Sequence, residues 1–79
     1  METSLNAATL AAPGLRRARV LAGIAAVDLA DDARVSYQML AKLEQGTRRA
    51  SPATARRIAR ALSITLDTAV RQGIFSFST

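Results

Sequence analysis

The chain has no cysteine and no histidine, and its aromatics are one tyrosine and two phenylalanines. Without cysteine there is neither a disulfide framework nor a thiolate metal site. Without histidine the commonest metal ligand and the usual general base near neutral pH are both missing. The scattered aspartates then have no partner with which to form a base and nucleophile pair, so an enzyme is not expected, nor a metal or other cofactor. Poverty in aromatics, with an apolar half dominated by alanine and leucine, favours small, closely packed helices over a sheet. No apolar run approaches the roughly 20 residues of a membrane span, and no signal-peptide pattern is present. The expectation is a soluble, cytoplasmic protein that does not engage membranes.

What remains is short and basic. Seventy-nine residues suit one small domain. The formal charge is +5, and every cation except Lys42 is an arginine. Such a balance draws a small domain toward a polyanion, of which nucleic acid is the commonest. A codon-biased genome would produce the same total, so the placement of the charge has to decide.

The stretch from Ile24 to Gly46 organises the rest. It predicts two short amphipathic helices with a break at Arg34–Val35–Ser36. The first, Ala25 to Ala33, buries Leu29, Ala30 and Ala33 together with the preceding Ile24. The second, Ser36 to Gln45, buries Leu40 and Leu43. Ser36 stands where a hydroxyl can cap the free N–H groups of a helix start. Gly46 stands one place past the helix, where a left-handed residue is needed. Tyr37, Gln38, Ala41, Lys42 and Gln45 are left on or near the outer face. Two short helices with a tight turn, the second presenting donors and a cation, make a helix-turn-helix.

Around this pair the chain predicts three more helices. Residues 1–12 hold one acid and no base, and are expected to be a disordered tail or a short helix. The domain is expected over residues 13–73. Pro13 opens the first helix, with Leu15, Ala18, Leu21 and Ala22 inward and Arg16 and Arg17 outward. Arg19 lies between faces and needs a partner; Glu44 is expected to supply it in a structural ion pair. Asp28, Asp31 and Asp32 read as a solvated acidic face, not a metal site. Thr47, Arg48 and Arg49 form a loop. Ser51–Pro52 then starts a helix buried through Ala55, Ile58, Ala59 and Leu62. Thr65 caps a last short helix with Leu66 and Val70 inward, ended by Gly73. Residues 74–79 alternate apolar and polar as a strand does, and a lone strand needs something to pair with. Val70, Ile74, Phe75 and Phe77 are therefore the expected dimer contacts, folding back of the phenylalanines onto their own core being the alternative.

The ordered set Arg19–Val20, Gly23–Ile24, Leu29–Ala30, Ala33–Arg34–Val35–Ser36, Leu40, Lys42–Leu43–Glu44–Gln45–Gly46, Ser51–Pro52 and Ile58–Ala59–Arg60–Ala61–Leu62 resembles the lambda-repressor/Cro-like (Xre-type) helix-turn-helix family. The resemblance runs from about Leu15 to Val70. It implies an all-α, compact five-helix DNA-binding domain, here with a short C-terminal strand or tail. By resemblance, Tyr37, Gln38 and Lys42 read base edges of double-stranded DNA, with Met39 and Ala41 as neighbouring apolar contacts. Arg34, Ser36, Gln45, Thr47, Arg48 and Arg49 meet phosphates. The chemistry agrees: glutamine pairs bidentately with adenine, lysine donates to guanine, and loop arginines neutralise backbone charge. Two departures stand out. The second helix begins with Ala25–Ala26 where family members carry Ser or Thr followed by a phosphate-clamping Gln, and the turn carries Arg34 where Gly is usual.

The resemblance implies a transcription regulator, a repressor acting as a homodimer on an inverted-repeat operator, of a size that suits a phage or plasmid switch protein. It would work in the cytoplasm of a bacterial cell or phage-infected host, at the nucleoid. The rival readings are an antitoxin or other interaction module whose C-terminal tail binds a partner protein, and an accessory protein of excision or recombination.

Overall fold

The structure, a computed structural model, describes residues 9–77. These form five helices and two short strands: β1 Leu10–Ala11, α1 Leu15–Leu21, α2 Ala26–Ala33, α3 Tyr37–Gln45, α4 Pro52–Ala61, α5 Leu66–Arg71 and β2 Ser76–Phe77. The architecture is all-α apart from the paired strands.

Local chemistry sets the starts of three helices. Ser36 Oγ accepts from the Met39 N–H at 3.0 Å, Ser51 Oγ from Thr54 at 3.2 Å, and Thr65 Oγ1 from Thr68 at 3.1 Å. Each such cap is worth about 1 kcal/mol. Helix α2 begins on Ala25, which offers no side-chain cap. It ends on Arg34 at φ 61°, ψ 43°, a left-handed conformation that costs a residue with a Cβ roughly 1–2 kcal/mol. Helix α3 ends on Gly46 at φ 84°, where no such cost arises.

Helix α2 packs on α3 and α4, α4 on α5, and α1 on α3. Leu15, Leu29, Leu40, Leu43 and Ile58 fill the centre and are fully buried. Leu10 and Phe75, from the two ends of the described chain, are buried with them. Leu10 exchanges two backbone hydrogen bonds with Ala50 (N–H to carbonyl, 2.8 and 2.9 Å) and lies opposite Phe77, while Ala11 lies opposite Ser76 in an antiparallel pair. Gly14 belongs to the same clasp. Its N–H donates to the Ile74 carbonyl at 3.3 Å, and a Cβ there would stand 2.6 Å from the Gly73 oxygen.

This clasp corrects several expectations. Leu10 and Ala12 are core residues, so the folded unit begins before residue 13; residues 1–8 lie outside the described part, as do 78–79. Ile74 and Phe75, expected at a dimer contact, are buried within their own chain, because β2 returns the C-terminal segment to Leu10. Val70 is half-buried against the same core, and only Phe77, at 50% exposure, keeps much of its surface. Leu21 and Ala22 were expected inward and are exposed, Leu21 at 75%. Helix α1 is two turns long, and its inner face is taken by Leu15, Ala18 and Arg19.

Candidate nucleic-acid interface

Helix α3 has a buried edge, Leu40 and Leu43, and an outer surface where Tyr37, Gln38, Lys42 and Gln45 are exposed. Met39 and Ala41 are half-buried, with Met39 turned against the core. Arg34 and Ser36 precede the helix and Thr47, Arg48 and Arg49 follow it, all exposed. The residues singled out as base readers and phosphate contacts are thus carried by one helix and its two flanking turns.

The helix is tied to α1 by an ion pair, and the segments on either side of it are braced. Arg19 Nε donates to Glu44 Oε2 at 2.6 Å and Nη2 to Oε1 at 3.1 Å, a bidentate pair joining α1 to α3. The two side chains are only 14% and 9% exposed, so neither charge can fall back on water if the other is removed. Hydrogen bonding to Glu44 holds the Arg19 guanidinium above its ordinary pKa, against the opposing effect of burial. Arg19 Nη1 also donates to the Ile24 carbonyl at 2.9 Å, fixing the α1–α2 connection. On the far side, Arg57 Nε of α4 donates to the Ala33 carbonyl at 3.1 Å and braces the end of α2 just before the turn. Beyond α3, the Thr47 N–H and hydroxyl both donate to the Lys42 carbonyl, at 3.0 and 3.3 Å, which aims the loop carrying Arg48 and Arg49.

The role of Arg57 was not anticipated from sequence. A signal existed: α2 has no basic residue in its last turn, and the backbone N–H groups that cap it reach Ala30 and Asp31, leaving the Ala33 carbonyl to a donor from elsewhere. Among the described residues the ion pairs are Arg19–Glu44 and the exposed Arg71–Asp67 of α5. Arg34, Lys42, Arg48 and Arg49 enter neither of these pairs. Asp28, Asp31 and Asp32 are exposed on α2.

Comparison with known proteins agrees with this geometry. A helix-turn-helix family model matches residues 15–68. Among solved structures, the chain is similar to the clp gene regulator ClgR from Corynebacterium glutamicum, with a TM-score of 0.71 and 27% identity over 76% of this chain. The match spans 64% of the ClgR chain, less than two thirds of it. No curated protein sequence matches the chain. The family match takes in α1 to α4 and the first turn of α5, with the capped helix α3 and its exposed donors inside it: the chain belongs to the lambda-repressor-like (Xre-type) helix-turn-helix family.

Proposed function

We propose that this protein is a DNA-binding transcription regulator that inserts α3 into the major groove of a duplex. The observation that carries this reading is the outer face of α3, where Tyr37, Gln38, Lys42 and Gln45 stand exposed on a helix whose own backbone is capped and braced. Such a face has hydrogen-bonding side chains that find no hydrogen-bond partner among the described residues. Tyr37, Gln38 and Lys42 read base edges, and Met39 and Ala41 supply neighbouring apolar contacts, to thymine methyls among them. Arg34, Ser36, Gln45, Thr47, Arg48 and Arg49 contact phosphates and set the register. The likeness to a gene regulator supports the regulatory role.

In this proposal the protein acts in the bacterial cytoplasm as a repressor, a homodimer that occludes a promoter by occupying an inverted repeat with half-sites about 34 Å apart. Of the residues expected at the dimer contact, Phe77 has the most exposed surface to offer. The rival reading, in which a free C-terminal tail covers a partner protein, loses Ile74 and Phe75 to the core. Selection of bound duplexes from a random library tests the proposal. Recovery of an inverted repeat is the expected outcome. Salt-sensitive binding with no recovered motif would contradict it.

A further inference from the structure

We propose that the groove between α1 and the α4–α5 connection binds a small carboxylate with an apolar body. This site goes beyond the reading of α3 and does not rest on it. The groove has a volume of about 410 Å³, inside the roughly 300–1,000 Å³ of small-ligand sites. Gly14, Arg17, Ala18 and Leu21 line one side, at the spacing of a single helical stripe. Arg19 leaves α1 from its other side, toward Glu44 of α3. Leu62, Ile64 and Ile74 form the facing wall, with Ser63, at φ 66°, turning the chain between the first two. Leu21 is 75% exposed at the rim, so the described residues leave most of it uncovered.

The charges choose the occupant. Among the described residues that line the groove, Arg17 is the only charge and Gln72 the only other polar side chain. Arg17 is exposed and enters neither of the ion pairs given above. A guanidinium beside an apolar wall suits an anion whose body is apolar, its planar fork taking both oxygens of a carboxylate. Gln72 can donate to the same group. A neutral hydrocarbon would leave both donors unused. A second copy docked on this groove about a two-fold would set Arg17 against its own counterpart, with no acid in the lining to offset the repulsion. No described residue of α3 lines the groove, so the ligand and a duplex do not compete for one surface.

The test titrates the protein with octanoate, below its micelle-forming concentration, and follows heat, backbone amide resonances and melting temperature. Octanol serves as the uncharged probe of the same length, and acetate as the charge without the chain. Saturable one-to-one binding of octanoate is expected, with shifts at Arg17 to Ala22, Leu62 to Ile64 and Gln72. Octanol and acetate should each bind more weakly. R17Q should lower octanoate affinity roughly tenfold, the loss of a charge-assisted hydrogen bond, while octanol affinity and the melting temperature of the free protein stay as they are. A22L, at an exposed position, narrows the groove and should weaken octanoate and octanol alike. No saturable binding of octanoate, or shifts away from these residues, would overturn the proposal. So would equal octanoate affinity in the wild type and R17Q, or equal affinity for octanoate and octanol. A dimer that L21D dissociates, with octanoate unbound, would assign the groove to a second copy and overturn the proposal as well. Duplex binding is measured separately, and its failure would overturn the reading of α3 and not this one.

Discussion

The two ends of the chain and the outer face of α3 use side chains in opposite ways. At the clasp, Leu10, Ile74 and Phe75 are buried, and the backbone of Leu10 is hydrogen-bonded to Ala50. On α3, Tyr37, Gln38, Lys42 and Gln45 face water, although the helix beneath them is among the best anchored in the molecule. Burial of apolar surface stabilises a small domain whose core has few large side chains. Exposure of donors does nothing for stability, and leaves them available to a partner. The contrast teaches that the aromatic tail serves the fold, and that function is to be sought where a rigid element carries polar groups with no partner among the described residues.

The largest expected effect comes from breaking the clasp. Phe75→Ala removes the largest fully buried side chain and should cost about 3–5 kcal/mol in chemical denaturation. The same change would be nearly silent for stability if Phe75 served only a partner surface. Next, Arg19→Ala leaves Glu44 shielded and unpaired, and should cost about 3 kcal/mol. A wild-type melting temperature for this variant would remove the pair from the account of how α3 is held.

Much of the structure around α3 was legible in the sequence because its signals are local. Ser36, Ser51 and Thr65 cap within three residues of themselves, Gly46 marks a left-handed helix end that it adopts without strain, and Arg19 needed an acid that Glu44 could offer. The clasp was not legible for the converse reason. Leu10 finds Ala50 and Phe77 across most of the chain, and two-residue strands carry no periodicity of their own. The misplacement of Leu21 has another cause. In a helix of two turns, spacing alone cannot say which side the core occupies, and the hydrogen bonds of Arg19 settled it.

On the α3 face, Gln38→Ala should leave the fold intact and cost about 1–3 kcal/mol on a selected duplex, with relaxed preference at one base position. An equal loss on random duplexes would show that Gln38 reads no base. Arg48→Ala should weaken all duplexes alike and lower the salt slope by about 1. No change in slope would take it off the phosphate contacts. The smallest effect sharpens the comparison inside a single residue. Arg34→Gly relieves a left-handed conformation and should raise stability by about 0.5–1 kcal/mol while weakening duplex binding. A gain in stability with unchanged binding would make Arg34 a solvated side chain and nothing more.

The most direct test of the central claim is an amide-resolved titration of the protein with a selected duplex, following backbone N–H resonances. The account predicts that shifts concentrate at Arg34 to Gln45 and Thr47 to Arg49, while Leu10, Ala50 and Ile74 to Phe77 stay in place. Shifts centred on the clasp, with α3 unmoved, would contradict it.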